Sequence, residues 1–127
     1  MSKQRAKGTA FERAVANYLV ETGTFPNCER TGSAHYERGD LVGTGDYLIE
    51  CKNHKKMALA EWIDQAREAS ERTFGIPVVI HKRPRKNIAE AYVTMRLQDW
   101  AEDVRQAQKT WELYQLLIRE SPQQLAN

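Results

Sequence analysis

The chain of 127 residues carries a formal net charge of +2, with 41% hydrophobic and 28% charged residues. That length fits one domain able to bury a core, and so mild a charge by itself says little about partners. No apolar run approaches the ~20 residues of a membrane span, and the N-terminus has no apolar signal segment. Cys28 and Cys51 stand outside any CxxC spacing, so reduced thiols in a soluble intracellular domain are expected, with no membrane partner. His35, His54 and His81 are too scattered around those cysteines to suggest a zinc site.

In chain order, a basic, polar tail carrying Lys3, Arg5 and Lys7 runs to about Gly8. A helix follows, in which Phe11, Ala14, Val15, Tyr18 and Leu19 form an i, i+3, i+4, i+7, i+8 stripe. Thr9 and Glu12 have the spacing of a capping box, which alone would explain Glu12. Glu12 also lies one helical step off the stripe, where it can reach a site beside the core, and both readings stand at this point. Gly23 ends the helix, Phe25-Pro26-Asn27 leads into a short strand around residues 28–31, and Gly32-Ser33-Ala34-His35 reads as a mobile loop.

Residues 39–52, Gly-Asp-Leu-Val-Gly-Thr-Gly-Asp-Tyr-Leu-Ile-Glu-Cys-Lys, read as a β-hairpin whose second strand carries Glu50 and Lys52. Alternation puts those two on one face, with Cα atoms ~6.6 Å apart, and turns Tyr47, Ile49 and Cys51 to the core. Asp40 joins that face only if it pairs with an even-numbered residue, which requires an odd-length turn such as Gly43-Thr44-Gly45; an even-length loop would flip it. Asp46 reads as a turn residue rather than a ligand. Two carboxylates beside an ammonium suit Mg²⁺ and a water to be activated on it. An isolated Glu-x-Lys is more often an ordinary surface ion pair.

Asn53-His54-Lys55-Lys56 follows as a basic loop, then a helix over about 58–72 that buries Leu59, Trp62, Ile63, Ala66 and Ala69, with Gln65 on its flank. Gly75-Ile76-Pro77 breaks the helix, residues 78–80 form an apolar strand, and residues 81–86 form a loop with four positive charges. Residues 51–86 sum to +5, so the basic block comes directly after the Glu-x-Lys strand. Such a run is commonly a solvated turn, but opposite an acidic metal site it would track phosphates. Residues 91–95 give another strand. From residue 97 to about 119 the pattern is helical, with Leu97, Trp100, Val104, Ala107, Trp111, Tyr114 and Ile118 in a heptad-like seam. Residues 122–127 look frayed.

The order helix, strand, hairpin, helix, strand, strand, helix defines an α/β domain with a mixed central β-sheet. Helical Glu12, Gly39-Asp40, Glu50-Cys51-Lys52 and Gln65 on the following helix resemble the PD-(D/E)xK nuclease superfamily. Lys7-Gly8-x-x-x-Glu12-Arg13, the Arg30-x-Gly-Ser33 loop and the basic loop after Ile80 resemble the archaeal-type Holliday junction resolvases and their phage relatives. The likeness covers about residues 3–95, and Gly39 stands where the superfamily's name has proline. It implies a restriction-endonuclease-like sheet flanked by helices in one nuclease domain over 1–127, with a core of about 8–95 and a C-terminal helical extension.

The resemblance also implies roles. Asp40, Glu50 and the backbone carbonyl of Cys51 would hold Mg²⁺ (Mn²⁺ substituting), with Glu12 completing or flanking that metal site. Lys52 would position the attacking water, and Gln65 would support it. Arg13, Arg30, Ser33, Lys55, Lys56, Lys82, Arg83 and Arg85 would contact DNA phosphates. The implied activity is paired phosphodiester cutting at branched DNA in recombination and repair, by a homodimer. The implied location is a prokaryotic cytoplasm, or the host's if the chain is phage-encoded. Competing readings are a flap, repair or restriction-type nuclease on the same scaffold acting on double-stranded DNA, or a non-catalytic nucleic-acid-binding protein.

Overall fold

The computed structural model describes residues 2–32 and 39–120. The chain divides into two compact units, Met1–Met95 and Arg96–Asn127. In the first, the elements are α1 (Lys3–Glu21), β1 (Glu29–Arg30), β2 (Leu41–Val42), β3 (Tyr47–Lys52), α2 (Leu59–Thr73), β4 (Ile76–His81), a single 3-10 turn (Ile88–Glu90) and β5 (Tyr92–Thr94). The second contains α3 (Leu97–Glu120).

The central sheet has the order β3-β4-β5, with β3 parallel to β4 and β4 antiparallel to β5. It is covered on both faces. Phe11, Val15 and Ala16 of α1 pack with Ile49, Val78 and Ile80 on one side, joined by Cys28 and Leu41. Trp62 and Ala66 of α2 pack with Leu48 and Val79 on the other. Strand alternation sends Leu48 and Ile49 to opposite faces, so Glu50 and Lys52 share the α2 face, while Tyr47 and Cys51 pack against the α1 cluster as expected. The mixed sheet between helices is the α/β architecture expected from the sequence.

Three local expectations are corrected. Helix α1 begins at Lys3, not Thr9: Ser2 caps it, its side-chain oxygen accepting the Arg5 N–H at 3.1 Å. Thr9 therefore sits inside the helix and makes no capping box, and Gly8 is tolerated mid-helix at a cost of about 1 kcal/mol relative to alanine. Second, residues 39–52 do not form a hairpin ladder. Strand β2 pairs antiparallel with β1, Glu29 opposite Val42 and Arg30 opposite Leu41. Its approach to β3 rests on the Asp40 N–H donating to the Ile49 carbonyl at 2.8 Å.

Third, the apolar strand is longer than residues 78–80, since β4 includes Ile76, Pro77 and His81. The N–H groups of Ile76 and Lys82 donate to the carbonyls of Asp46 and Lys52 at 2.7 and 3.0 Å. Even-numbered residues of β4 thus donate toward β3, and the missing N–H of Pro77 faces the β5 side, where pairing starts only at Val79. Phe74, not Gly75, takes the left-handed position that ends α2, at φ 59°. Gly23 follows the end of α1 at φ 74°, as its role in stopping that helix requires.

Gly39 explains the departure from the superfamily's proline. Its φ is +80°, and a Cβ there would stand 2.7 Å from the Ile49 carbonyl oxygen. Any side chain would push the backbone off β3 just before Asp40.

Candidate active site

Asp40 ties the end of β1 to β3, its carbonyl accepting the Thr31 N–H at 2.9 Å. Its N–H donates to Ile49, and its Oδ2 accepts the Cys51 N–H at 2.7 Å. The backbone bond sets Asp40 against Ile49, not against an even-numbered residue as the hairpin reading required, and its carboxylate reaches Glu50 by bending along the strand edge to the Cys51 N–H. Strand alternation fixes the Cys51 carbonyl. Carbonyls of Asp46 and Lys52 point to β4, those of odd-numbered residues such as Ile49 point to the Asp40 edge, and Cys51 follows Ile49.

Glu12 arrives from α1 and is held by Arg30 of β1, whose Nη2 and Nε lie 3.0 and 3.1 Å from Oε2. Arg30, expected on a DNA phosphate, spends its guanidinium on this carboxylate. Glu12, Asp40 and Glu50 act on one another. Burial, and then the Asp40 charge, raise Glu12 above the ordinary carboxylate range, with Arg30 pulling it back. Burial first and Glu50 second push Asp40 up to about 6, against the Cys51 N–H bond that favours its charged form. Burial also raises Glu50, with Asp40 and Lys52 opposing. Three acids that each resist ionisation mark a place where negative charge is concentrated and poorly hydrated.

That donor set suits a hard divalent cation. Asp40, Glu50 and the Cys51 carbonyl offer oxygens of the kind Mg²⁺ takes, and a cation there would offset the repulsion that raises the carboxyls. Among the described residues, no three His, Cys, Asp or Glu side chains are grouped to hold a metal on their own. The carbonyl and water would have to complete the coordination, as Mg²⁺ commonly requires.

Lys52 is half-buried at the end of β3, in register with His81 of β4. His81 is a site neighbour that sequence reading passed over. It is buried, its Nε2 lies 2.9 Å from Thr94 Oγ1, and its ring stands against Trp62 and Tyr92. Burial lowers its pKa below the usual histidine value. Its one visible signal was a polar residue closing an apolar strand. Gln65 lies exposed on α2 beside buried Ala66. Arg13, Lys55, Lys56, Lys82 and Arg85 are exposed. Arg83 is partly occupied, 3.8 Å from Glu90 and with its guanidinium 4.9 Å above the Tyr92 ring. Ser33 and most of the Gly32-Ser33-Ala34-His35 loop lie outside the described residues, as do residues 122–127.

A mixed sheet between helices, with Asp40 against the edge of a strand that carries Glu50 and Lys52, defines the class of PD-(D/E)xK nuclease domains. The family model described as "Phage putative PDDEXK endonuclease" matches residues 3–124, and the chain belongs to that family. The match runs through α3, so the helical C-terminal region is part of the family pattern. No curated protein matches the sequence. Among the described residues, no helix is long and apolar enough to cross a membrane.

Proposed function

We propose that the protein is a Mg²⁺-dependent, structure-selective DNA endonuclease that resolves Holliday junctions by paired cuts, acting as a homodimer. The observation that carries the chemistry is the meeting of Asp40 and Glu50 at the edge of β3 with Lys52 two residues on. Asp40, Glu50 and the Cys51 carbonyl would hold the cation, with Glu12 flanking it and kept in place by Arg30. When bound there, the metal would polarise the scissile phosphate and stabilise its developing charge.

The remaining work falls to the chain's own residues. Lys52 orients the attacking water and adds positive charge beside it. Gln65, on the helix packed over β3 and β4, supports that arrangement. Asp40 and Glu50, both half-buried, border one side of the reacting phosphate. Arg13, Ser33, Lys55, Lys56, Lys82 and Arg85 carry the DNA backbone, which fixes position without reading sequence. Paired cuts across a branch point need two active sites at a fixed separation, which a two-fold interface supplies. The exposed seam of α3 supports a second copy, since Trp100 and Trp111 are the kind of anchors that interfaces bury.

The test is cleavage of matched junction, flap and linear duplex DNAs in Mg²⁺ or Mn²⁺. Symmetric paired cuts on the junction, with the other two substrates cut far more slowly, are expected. Equal cutting of flap or linear DNA would replace this reading by a single-cut nuclease on the same scaffold.

A further inference from the structure

A hollow of about 230 Å³ lies between α1 and the chain from the end of β4 to the start of β5, lined by Lys7, Ala10, Phe11, Ala14, Lys82, Lys86, Asn87, Ile88 and Ala91. Its composition is unusual for an ordinary surface dent. Three lysines from two separate parts of the chain surround it, and no acidic residue lines it. None of the three forms an ion pair among the described residues. Like charges carried by residues around one concavity repel one another, and an anion seated there would relieve that repulsion. The floor is apolar, formed by Phe11, Ala14, Ile88 and Ala91, and Lys7, Phe11 and Ala14 share one helix face at i, i+4 and i+7.

The hollow is tied to the candidate active site through backbone. Lys82 donates its N–H to the Lys52 carbonyl at 3.0 Å. Lys7 precedes Glu12 by five residues on one helix, an axial separation of about 7.5 Å. The volume of the hollow equals nearly eight water volumes of about 30 Å³ each, room for a phosphate group with part of its sugar.

We propose that this hollow seats a single nucleic-acid phosphate, distinct from the one being cut, with Lys7, Lys82 and Lys86 converging on it and the adjoining sugar against the apolar floor. The proposal rests on the DNA-nuclease reading, and it replaces a diffuse basic track in this region by one built seat. Arg83 belongs to the same loop but is engaged by Glu90 and Tyr92, so the lysines, not the arginine, define the seat. The phosphate can be internal to a strand or a 5′-terminal one.

A single seat and a row of independent contacts differ in additivity. Affinity for a duplex is measured against salt for the full chain, Lys7→Gln, Lys86→Gln and the double variant, without divalent cation. One shared phosphate predicts that the double change lowers the log–log slope by at most about 0.9 in total, whereas two independent contacts would lower it by about twice that. A second variant, Ala10→Leu, fills the hollow without altering charge and should give the same loss with unchanged melting. Inorganic phosphate should shift the amide signals of Lys86, Asn87 and Ala89 in the full chain and not in Ala10→Leu. Losses confined to 5′-phosphorylated oligonucleotides assign the terminal source; losses on all strands assign the internal one.

A slope loss near two for the double change, or none in any variant, overturns the seat. The nuclease reading is judged apart, by cleavage. Unchanged slopes in a protein that cuts DNA sink the seat alone. A shared slope loss in a protein that cuts no DNA supports the seat and sinks the nuclease reading.

Discussion

Strand β3 and helix α3 both spend much of their length on large apolar side chains, and the chain treats them oppositely. In β3, Leu48 and Ile49 are 2% and 3% exposed because α2 and α1 cover the two faces of the sheet. Helix α3 has no buried residue. Trp100, Trp111, Leu113 and Leu117 are each more than half exposed, and Trp111 stacks on Tyr114 at 5.5 Å within the helix itself. The expected seam of Leu97, Trp100, Val104, Ala107, Trp111, Tyr114 and Ile118 occupies one side of α3, whereas helical spacing puts Leu113, Leu116 and Leu117 on the other. Apolar content decides that a segment wants cover, and only neighbouring elements decide whether it has any. A helix apolar on two sides is one built to be covered.

The largest expected effect lies at the edge of β3. Asp40→Asn or Lys52→Ala should lower the cleavage rate by at least about 10³-fold, since each removes charge placed at the reacting phosphate, while DNA binding persists. Full activity in either variant would reject the assignment of the site. Glu12→Gln tests a separate contribution, and its melting must be followed because it also frees Arg30.

Truncation separates the two apolar regions directly. Ile49→Ala should cost about 2–5 kcal/mol of stability through lost burial and a residual cavity. Leu117→Ala should leave the melting of a dilute sample within about 0.5 kcal/mol of the parent. Equal losses at the two positions, read by denaturant titration, would erase the contrast between β3 and α3.

The pH dependence of stability isolates the acidic cluster. Asp40 holds its proton more tightly folded, at about 6, than unfolded, near 3.9. Its contribution is therefore fully present below the unfolded value and is lost as pH rises through the folded one. In chelator, the protein should lose roughly 3 kcal/mol between about pH 4 and pH 7 from this group, and Asp40→Asn should remove that slope. Mg²⁺ should restore stability at pH 8 to the parent and not to the variant. A flat profile for the parent would mean that the carboxylates do not crowd one another.

The smallest expected effect is on assembly. Sedimentation at micromolar concentration should give twice the monomer mass of 14.6 kDa. Trp111→Ala should weaken the dimer by about 2 kcal/mol, roughly 30-fold, with far-UV signal unchanged. A dimer unaffected by the change would move the two-fold surface off the seam, and a monomeric parent would remove paired cutting from the proposal.

Much of this was open to reading from sequence because it depends on local periodicity. The alternation of 47–52 placed Glu50 and Lys52 together and Ile49 in the core, and the stripes named Phe11 and Val15 of α1 and Trp62 and Ala66 of α2, although Tyr18 of the α1 stripe is exposed and Ala16, outside it, is buried. Gly23 marked a helix end through its own backbone freedom. The start of α1 was misread, because Thr9 with Glu12 matches a capping box while the cap is Ser2, nearly two turns earlier.

What joins distant segments was decided by the tertiary structure alone. The partner of β2 is β1, eleven or more residues away, rather than the adjacent β3. Glu12 takes Arg30 as its partner instead of its own helix end. Asp40 completes the edge of β3 with a side-chain oxygen, and Lys7 meets Lys82 and Lys86 across seventy-five residues and more. Strand and helix periods are written in neighbouring residues, whereas these contacts depend on which closures the packed core rewards against the entropy of forming them.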